Sequence, residues 1–156
     1  MSFGLRIHLG QKLSFFLGYF FRVAGLLGIY LCVQLADEKT PDNAPPAVEE
    51  QIRKKEAERI LKNIDERAHV CVLAIKGKRY TSEAFSEYIS SLGVSGTSHI
   101  QFVIGGSLGL HESVLKRADS SISFSDMTFP HQMMRVILLE QIYRGYKIFC
   151  GEPYHK

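Results

Sequence analysis

The chain has 156 residues, 46% of them hydrophobic and 22% charged, so it can bury a core and is neither a disordered segment nor a disulfide-stapled miniprotein. Its formal net charge of +3 sits entirely in residues 1–35, which hold Arg6, Lys12 and Arg22 and no acid; the other 121 residues carry 16 basic and 16 acidic side chains. That balance gives no ground for a generally basic nucleic-acid binder.

The first distinctive stretch is residues 15–33, FFLGYFFRVAGLLGIYLCV, with Arg22 as its one charge. A membrane helix needs about 20 apolar residues, and an arginine near its middle costs about 2.5–3.5 kcal/mol on insertion. Gly18, Gly25 and Gly28 are tolerated in lipid and weaken a helix in water. A signal peptide fits less well, because cleavage after Ala36 puts Gln34 where a small residue is wanted. The soluble alternative is a strand and helix hidden in a core or interface.

From Gln34 the composition turns polar, and Pro41, Pro45 and Pro46 mark an exposed loop. A helix is predicted from about residue 47 to 65, with Val48, Ile52, Ile60, Leu61 and Ile64 on one stripe and Glu49 and Glu50 suited to its positive N-terminus. Arg53, Lys54 and Lys55 alternate with Glu56 and Glu58 as a solvated face does. HVCVLAI, residues 69–75, reads as a strand covered on both faces, followed by a turn at Gly77 and Lys78. Thr81 or Ser82 caps a helix to about Leu92 with Phe85, Tyr88, Ile89 and Leu92 inward.

HIQFVI, residues 99–104, is a second buried strand ending in the glycine-rich loop GGSLG. A short helix over residues 111–119, a third strand over 121–124 and a long helix over 131–149 complete the pattern. Strand and helix alternate three times, which predicts an α/β fold: a parallel sheet with flanking helices and ligand sites at the carboxyl ends of the strands. The three strand-end loops, near residues 76–79, 105–109 and 125–130, then open on one edge.

Several chemistries are unsupported. Cys32, Cys71 and Cys150 form no C-x-x-C pair, and no two histidines share the spacing of a helical metal site, so neither a disulfide framework nor a metal is expected. That cysteine usage fits a reducing, cytosolic setting. No G-x-S-x-G elbow suggests a hydrolase, and GGSLG is neither G-x-G-x-x-G nor a phosphate loop. It reads equally as a ligand loop, since Gly105 and Gly106 let backbone approach closely, and as an ordinary strand-to-helix turn.

The run VIGGSLGLHESVLKRADSSISFSDMTFPHQMMRVILLEQIYRGYKIFCGEPYHK resembles the C-terminal half of the ribosomal large-subunit pseudouridine methyltransferase family, the RlmH type. The likeness extends back through VLAIKGK and KEAERIL to LADEKTPDN, covering residues 34–156. It implies a SPOUT-type α/β fold with a C-terminal trefoil knot, which general topology rules disfavour, and a cytoplasmic homodimer packed through its final helices. The implied activity is methyl transfer from S-adenosylmethionine to N3 of a pseudouridine in 23S rRNA of the assembled ribosome. Matching positions place cofactor contacts on Leu73, Gly105, Phe124, Ser125, Asp126, Met127, Thr128 and Phe129. Tyr154 and His155 are implied to orient the base or relay its proton. Arg144, and behind it Arg135 and His131, are implied to hold phosphates or the base; an i, i+4 pair with Glu140 is the structural alternative for Arg144. Lys76, Lys78 and Arg79 are candidates for a local RNA patch assembled across the dimer.

The chain departs from the family over residues 1–33, where RIHLGQKL is the one vestige of the family's opening strand, charged helix and second strand. The expected division is an atypical apolar segment over 1–35 and one methyltransferase domain over 36–156. The departure leaves a second reading: a membrane-associated or catalytically silent protein that keeps the knotted half as a dimerisation or binding module.

Overall fold

The computed structural model describes residue 41 and residues 43–97 and 99–153. The apolar run over 15–33, the vestige before it, Tyr154 and His155 all lie outside the described residues. Among the described residues no helix is long and apolar enough to cross a membrane. The elements in chain order are α1 (Pro46–Asn63), β1 (His69–Arg79), α2 (Ser82–Val94), β2 (Ile100–Ile104), α3 (Glu112–Arg117), β3 (Ser120–Ser123) and α4 (His131–Phe149).

The strands lie in the order β2-β1-β3, all parallel, with His69 opposite Ile100 and Leu73 opposite both Ile104 and Ile122. Because side chains alternate along a strand, central β1 serves two cores. Cys71 joins Phe102 and Ile122 under Phe85 and Ile89 of α2 and Leu138, Ile142 and Tyr146 of α4. Val70 and Val72 point the other way, into Ala57 of α1 and Val114 of α3. Helices therefore cover both faces, which is why this strand shows no polar alternation.

Local chemistry sets the element ends. Pro45 and Pro46 open α1, where a missing N–H costs nothing. Of the two candidate caps for α2, Thr81 is used: its Oγ1 accepts from the Ala84 N–H at 3.2 Å. His111 lies just before α3 rather than within it, and its Nδ1 accepts from the Ser113 N–H at 3.1 Å. That tautomer leaves Nε2 to donate to Glu50 of α1, 3.1 Å away. β3 starts one residue earlier than expected because Asp119 anchors it to β1: Asp119 Oδ2 accepts from the Val70 N–H at 2.7 Å, and the Asp119 N–H donates to the Val70 carbonyl at 2.8 Å. The solvated reading of α1's basic cluster holds, with Lys54 and Lys55 exposed and Arg53 paired to Glu50.

One expectation is corrected. Gly77 and Lys78 make no turn that ends the strand; β1 runs on to Arg79. Leu73 and Lys78 both align with Ile122, so residues 74–77 are extruded as a bulge before pairing with β3 resumes. Gly77 returns across the Ile122 backbone so closely that a Cβ there would sit 2.7 Å from both the Ile122 N and O. Only glycine allows that approach.

Candidate functional site

The two predicted loops after β2 and β3 meet on one edge with the bulge of β1, in place of the loop expected over 76–79. They enclose a cleft of about 780 Å³ at the carboxyl ends of the strands. One wall is Leu73 with residues 74–76 of the extruded bulge; a second is the glycine-rich loop and its flanks, residues 104–110; a third is formed by residues 122–125 and 127–130, with His131 and Met134 of α4 behind it. Backbone and apolar side chains dominate the lining, as in sites that enclose a small organic ligand.

The glycine-rich loop is both a tight turn and a cleft wall. The Gly109 N–H donates to the Gly106 carbonyl at 3.0 Å, and Gly109 takes a left-handed φ of 78°. At Gly105 a Cβ would lie 3.1 Å from the Gly109 carbonyl carbon and from Leu110 Cγ, so a larger residue would force the loop to shift. In the third wall, Ser123 Oγ donates to the Ser125 carbonyl at 3.1 Å and the Met127 N–H donates to Ser125 Oγ at 3.0 Å, fixing the loop's path.

Leu73, Gly105, Phe124, Ser125, Met127, Thr128 and Phe129 all line this cleft, and so does His131. Asp126 does not: its carboxylate forms an ion pair with Arg79, joining the end of β1 to the loop after β3 at the rim. Arg135 is half-buried one turn along α4 and is not part of the lining. Arg144 makes the i, i+4 pair with Glu140, its Nε and Nη2 donating to Glu140 Oε1 at 3.0 and 2.6 Å. Thirteen residues of helix separate it from His131, about 20 Å at 1.5 Å per residue, so the chain does not bring Arg144 to its own cleft.

Sequence reasoning missed Ala74 and Ile75 as part of a wall, because the bulge arises from pairing with a distant strand. Ile104, Leu110 and Met134 are further lining residues that periodicity had assigned only to elements or left in a loop.

The opposite edge of the sheet carries a different polar group. His69 and Ser120, the first residues of β1 and β3, meet Tyr88 of α2, with His69 Nε2 at 3.0 Å from both hydroxyls and the two hydroxyls 2.6 Å apart. Burial pushes the neighbouring Cys71 thiol up to about 11 and raises the Tyr88 phenol as well. Both therefore stay neutral, and this node ties strand starts to α2 without supplying a nucleophile.

A parallel sheet covered on both faces, with strand-end segments closed on one cleft, defines an α/β protein built to bind a small molecule. The family described as "Predicted SPOUT methyltransferase" matches residues 18–155, reaching back into the apolar run. Three relatives, each named ribosomal RNA large subunit methyltransferase H, align over 124 residues, 80% of this chain and 78% of each relative. They come from Bifidobacterium adolescentis at 63% identity, Bifidobacterium animalis subsp. lactis at 57% and Clostridium kluyveri at 53%. The chain belongs to the ribosomal RNA large subunit methyltransferase H family of SPOUT methyltransferases.

Proposed function

We propose that this chain transfers a methyl group from S-adenosylmethionine to N3 of a pseudouridine in 23S rRNA of the assembled ribosome, as a cytoplasmic homodimer. The observation that carries the reading is the convergence of Leu73, Gly105 and the loop after β3 on one cleft at the strand ends. These residues fit the methyl donor: the volume is that of a small-molecule site, Leu73, Ile104 and Phe124 offer apolar walls to a nucleoside, and the crowded Gly105 leaves backbone exposed to it. The knot implied by the family belongs to this reading, with residues 36–156 as the methyltransferase domain and 1–35 as its atypical apolar N-terminal segment.

S-adenosylmethionine supplies an already activated methyl group, whose transfer discharges the sulfonium. The protein's own task is to align the base and assist loss of its N3 proton. Tyr154 and His155 are the groups we assign to orienting the base and accepting that proton. Met133, Val136 and Phe149 remain exposed on α4, and the final helix of a second copy would cover apolar surface there. Across such a dimer Arg144, remote from its own cleft, serves the partner's, with Arg135 and His131 completing the contacts to RNA.

The test is transfer of labelled methyl from S-adenosylmethionine to 70S ribosomes lacking the modification. Transfer to ribosomes and none to free nucleosides is expected. A folded, dimeric protein that binds the methyl donor yet modifies no ribosome, or that modifies free nucleosides equally well, overturns the reading.

A further inference from the structure

We propose that Arg79 is a contact for an RNA backbone phosphate and that Asp126 is its built-in competitor, displaced when the target RNA docks. The proposal rests on the rRNA methyltransferase reading and adds to it a device that discriminates between RNA ligands. Lys76, Lys78 and Arg79 lie exposed within four residues at the end of β1, beside the cleft. Asp126 comes from the loop forming another wall, lies outside the cleft lining, and pairs with Arg79 across the rim. In the RNA-free protein the carboxylate thus cancels one of three positive charges in the patch.

The exchange follows from the chemistry of the guanidinium. Its planar fork donates to carboxylate and phosphate oxygens in the same bidentate manner. The pair is wet, with side chains 59% and 73% exposed, and exposed pairs are weak. A phosphate held in place by many other ribosomal contacts displaces Asp126 readily. A loosely bound RNA must break the same pair with little else to offset it, so the pair lowers affinity for RNA that lacks the ribosomal setting. Lys78 is held differently, its Nζ 4.8 Å from the Tyr80 ring centroid, which leaves Arg79 as the member of the patch whose partner an RNA phosphate can replace.

The experiment is a double-mutant cycle on affinity for 70S ribosomes lacking the modification. Asp126→Asn is expected to tighten binding about two- to five-fold, the strength of an exposed ion pair. Arg79→Ala is expected to weaken it and to flatten the dependence of log affinity on log salt by about 0.7–0.9, one phosphate contact. In the Arg79→Ala background, Asp126→Asn is expected to change nothing. If Asp126 merely repels RNA by its charge, its removal tightens binding equally in both backgrounds, and the exchange is refuted. Loss of S-adenosylmethionine affinity in Asp126→Asn with unchanged ribosome affinity also refutes it, assigning the carboxylate to the methyl donor. Methylation of ribosomes by the wild-type protein reports separately on the parent reading: if that succeeds while the cycle shows no coupling, the exchange alone fails.

Discussion

Gly77→Ala is the sharpest test of how the cleft is built. The new Cβ would meet the Ile122 N and O at 2.7 Å, whereas ordinary van der Waals contact begins near 3.4 Å. These are backbone atoms of a buried strand, so no side chain can swing aside. Either the bulge lifts off β3 by about 0.7 Å or more, or β3 moves within the core around Ile122. Overpacking costs about 1–3 kcal/mol, and a backbone-on-backbone clash belongs in the upper half of that range. For a domain of this size each kcal/mol moves the melting temperature by about 2–4 °C, so a drop of roughly 4–12 °C is expected.

Residues 73–76 form a cleft wall, so affinity for S-adenosylmethionine should fall with stability, by about tenfold for each 1.4 kcal/mol lost from the bound geometry. Thermal unfolding and titration calorimetry measure the two effects. Gly93→Ala is the matched control: it lies in the last turns of α2 with nothing within 4 Å of a new Cβ. It should gain up to about 1 kcal/mol from helix propensity. A Gly77→Ala protein that melts with the wild type and binds the methyl donor normally would show that the bulge is not set by the contact with Ile122.

Burial opposes ionisation of Asp119, but the Val70 N–H and the Arg117 guanidinium outweigh it and hold the carboxyl below its ordinary 3.8. With its folded value lowered, Asp119 contributes fully above about pH 4 and loses that contribution as the pH falls through the folded value. Urea unfolding should therefore show wild type more stable than Asp119→Asn at neutral pH, with the gap closing in acid; a gap independent of pH rules out this linkage. Arg144→Ala removes an i, i+4 pair worth about 0.3–0.5 kcal/mol, so the melting temperature should hardly move. Its KM for ribosomes should nevertheless rise tenfold or more, and unaltered kinetics would leave Arg144 without a part in ribosome binding. His155→Ala should lower kcat by about 10²–10⁴, the range for a lost general base, while the methyl donor still binds. Tyr154→Phe isolates the hydroxyl, and a kcat within twofold of wild type removes it from proton transfer.

The parts legible from residues alone are those fixed by short-range pattern. The apolar run from Val70 to Val72 announced a strand with two covered faces, and the alternation of elements placed the loops after β2 and β3 on one edge. Phe85 and Ile89 are buried as their spacing required, beside partly buried Tyr88 and Leu92. What local pattern could not give is whatever depends on a distant strand. Gly77 followed by Lys78 has the composition of a turn, and only the second pairing with Ile122 makes it part of a strand. The ion pair between Arg79 and Asp126 joins the end of β1 to the loop after β3 with no sequence signal linking them. Individual cofactor positions came from family resemblance; composition and periodicity supplied the loops but no chemistry.

The neutral balance of residues 36–156 is compatible with an RNA substrate because of where the charges cancel. Glu50 with Arg53, Glu112 with Lys116 and Glu140 with Arg144 are each neutralised within one helix turn, and Lys147 is met by Glu152 just beyond its helix. Close pairs of opposite sign have fields that decay quickly, and salt screens what remains beyond about 8–10 Å. Lys76 and Lys78 form no ion pair with a carboxylate among the described residues, and they stand beside the cleft. An approaching phosphate backbone therefore meets the local excess at the strand ends rather than the sum over the chain, and Asp126 is placed to trim that excess until RNA arrives. Adding one acid at this edge should weaken ribosome binding far more than adding one to the exposed face of α1, although both change the net charge equally.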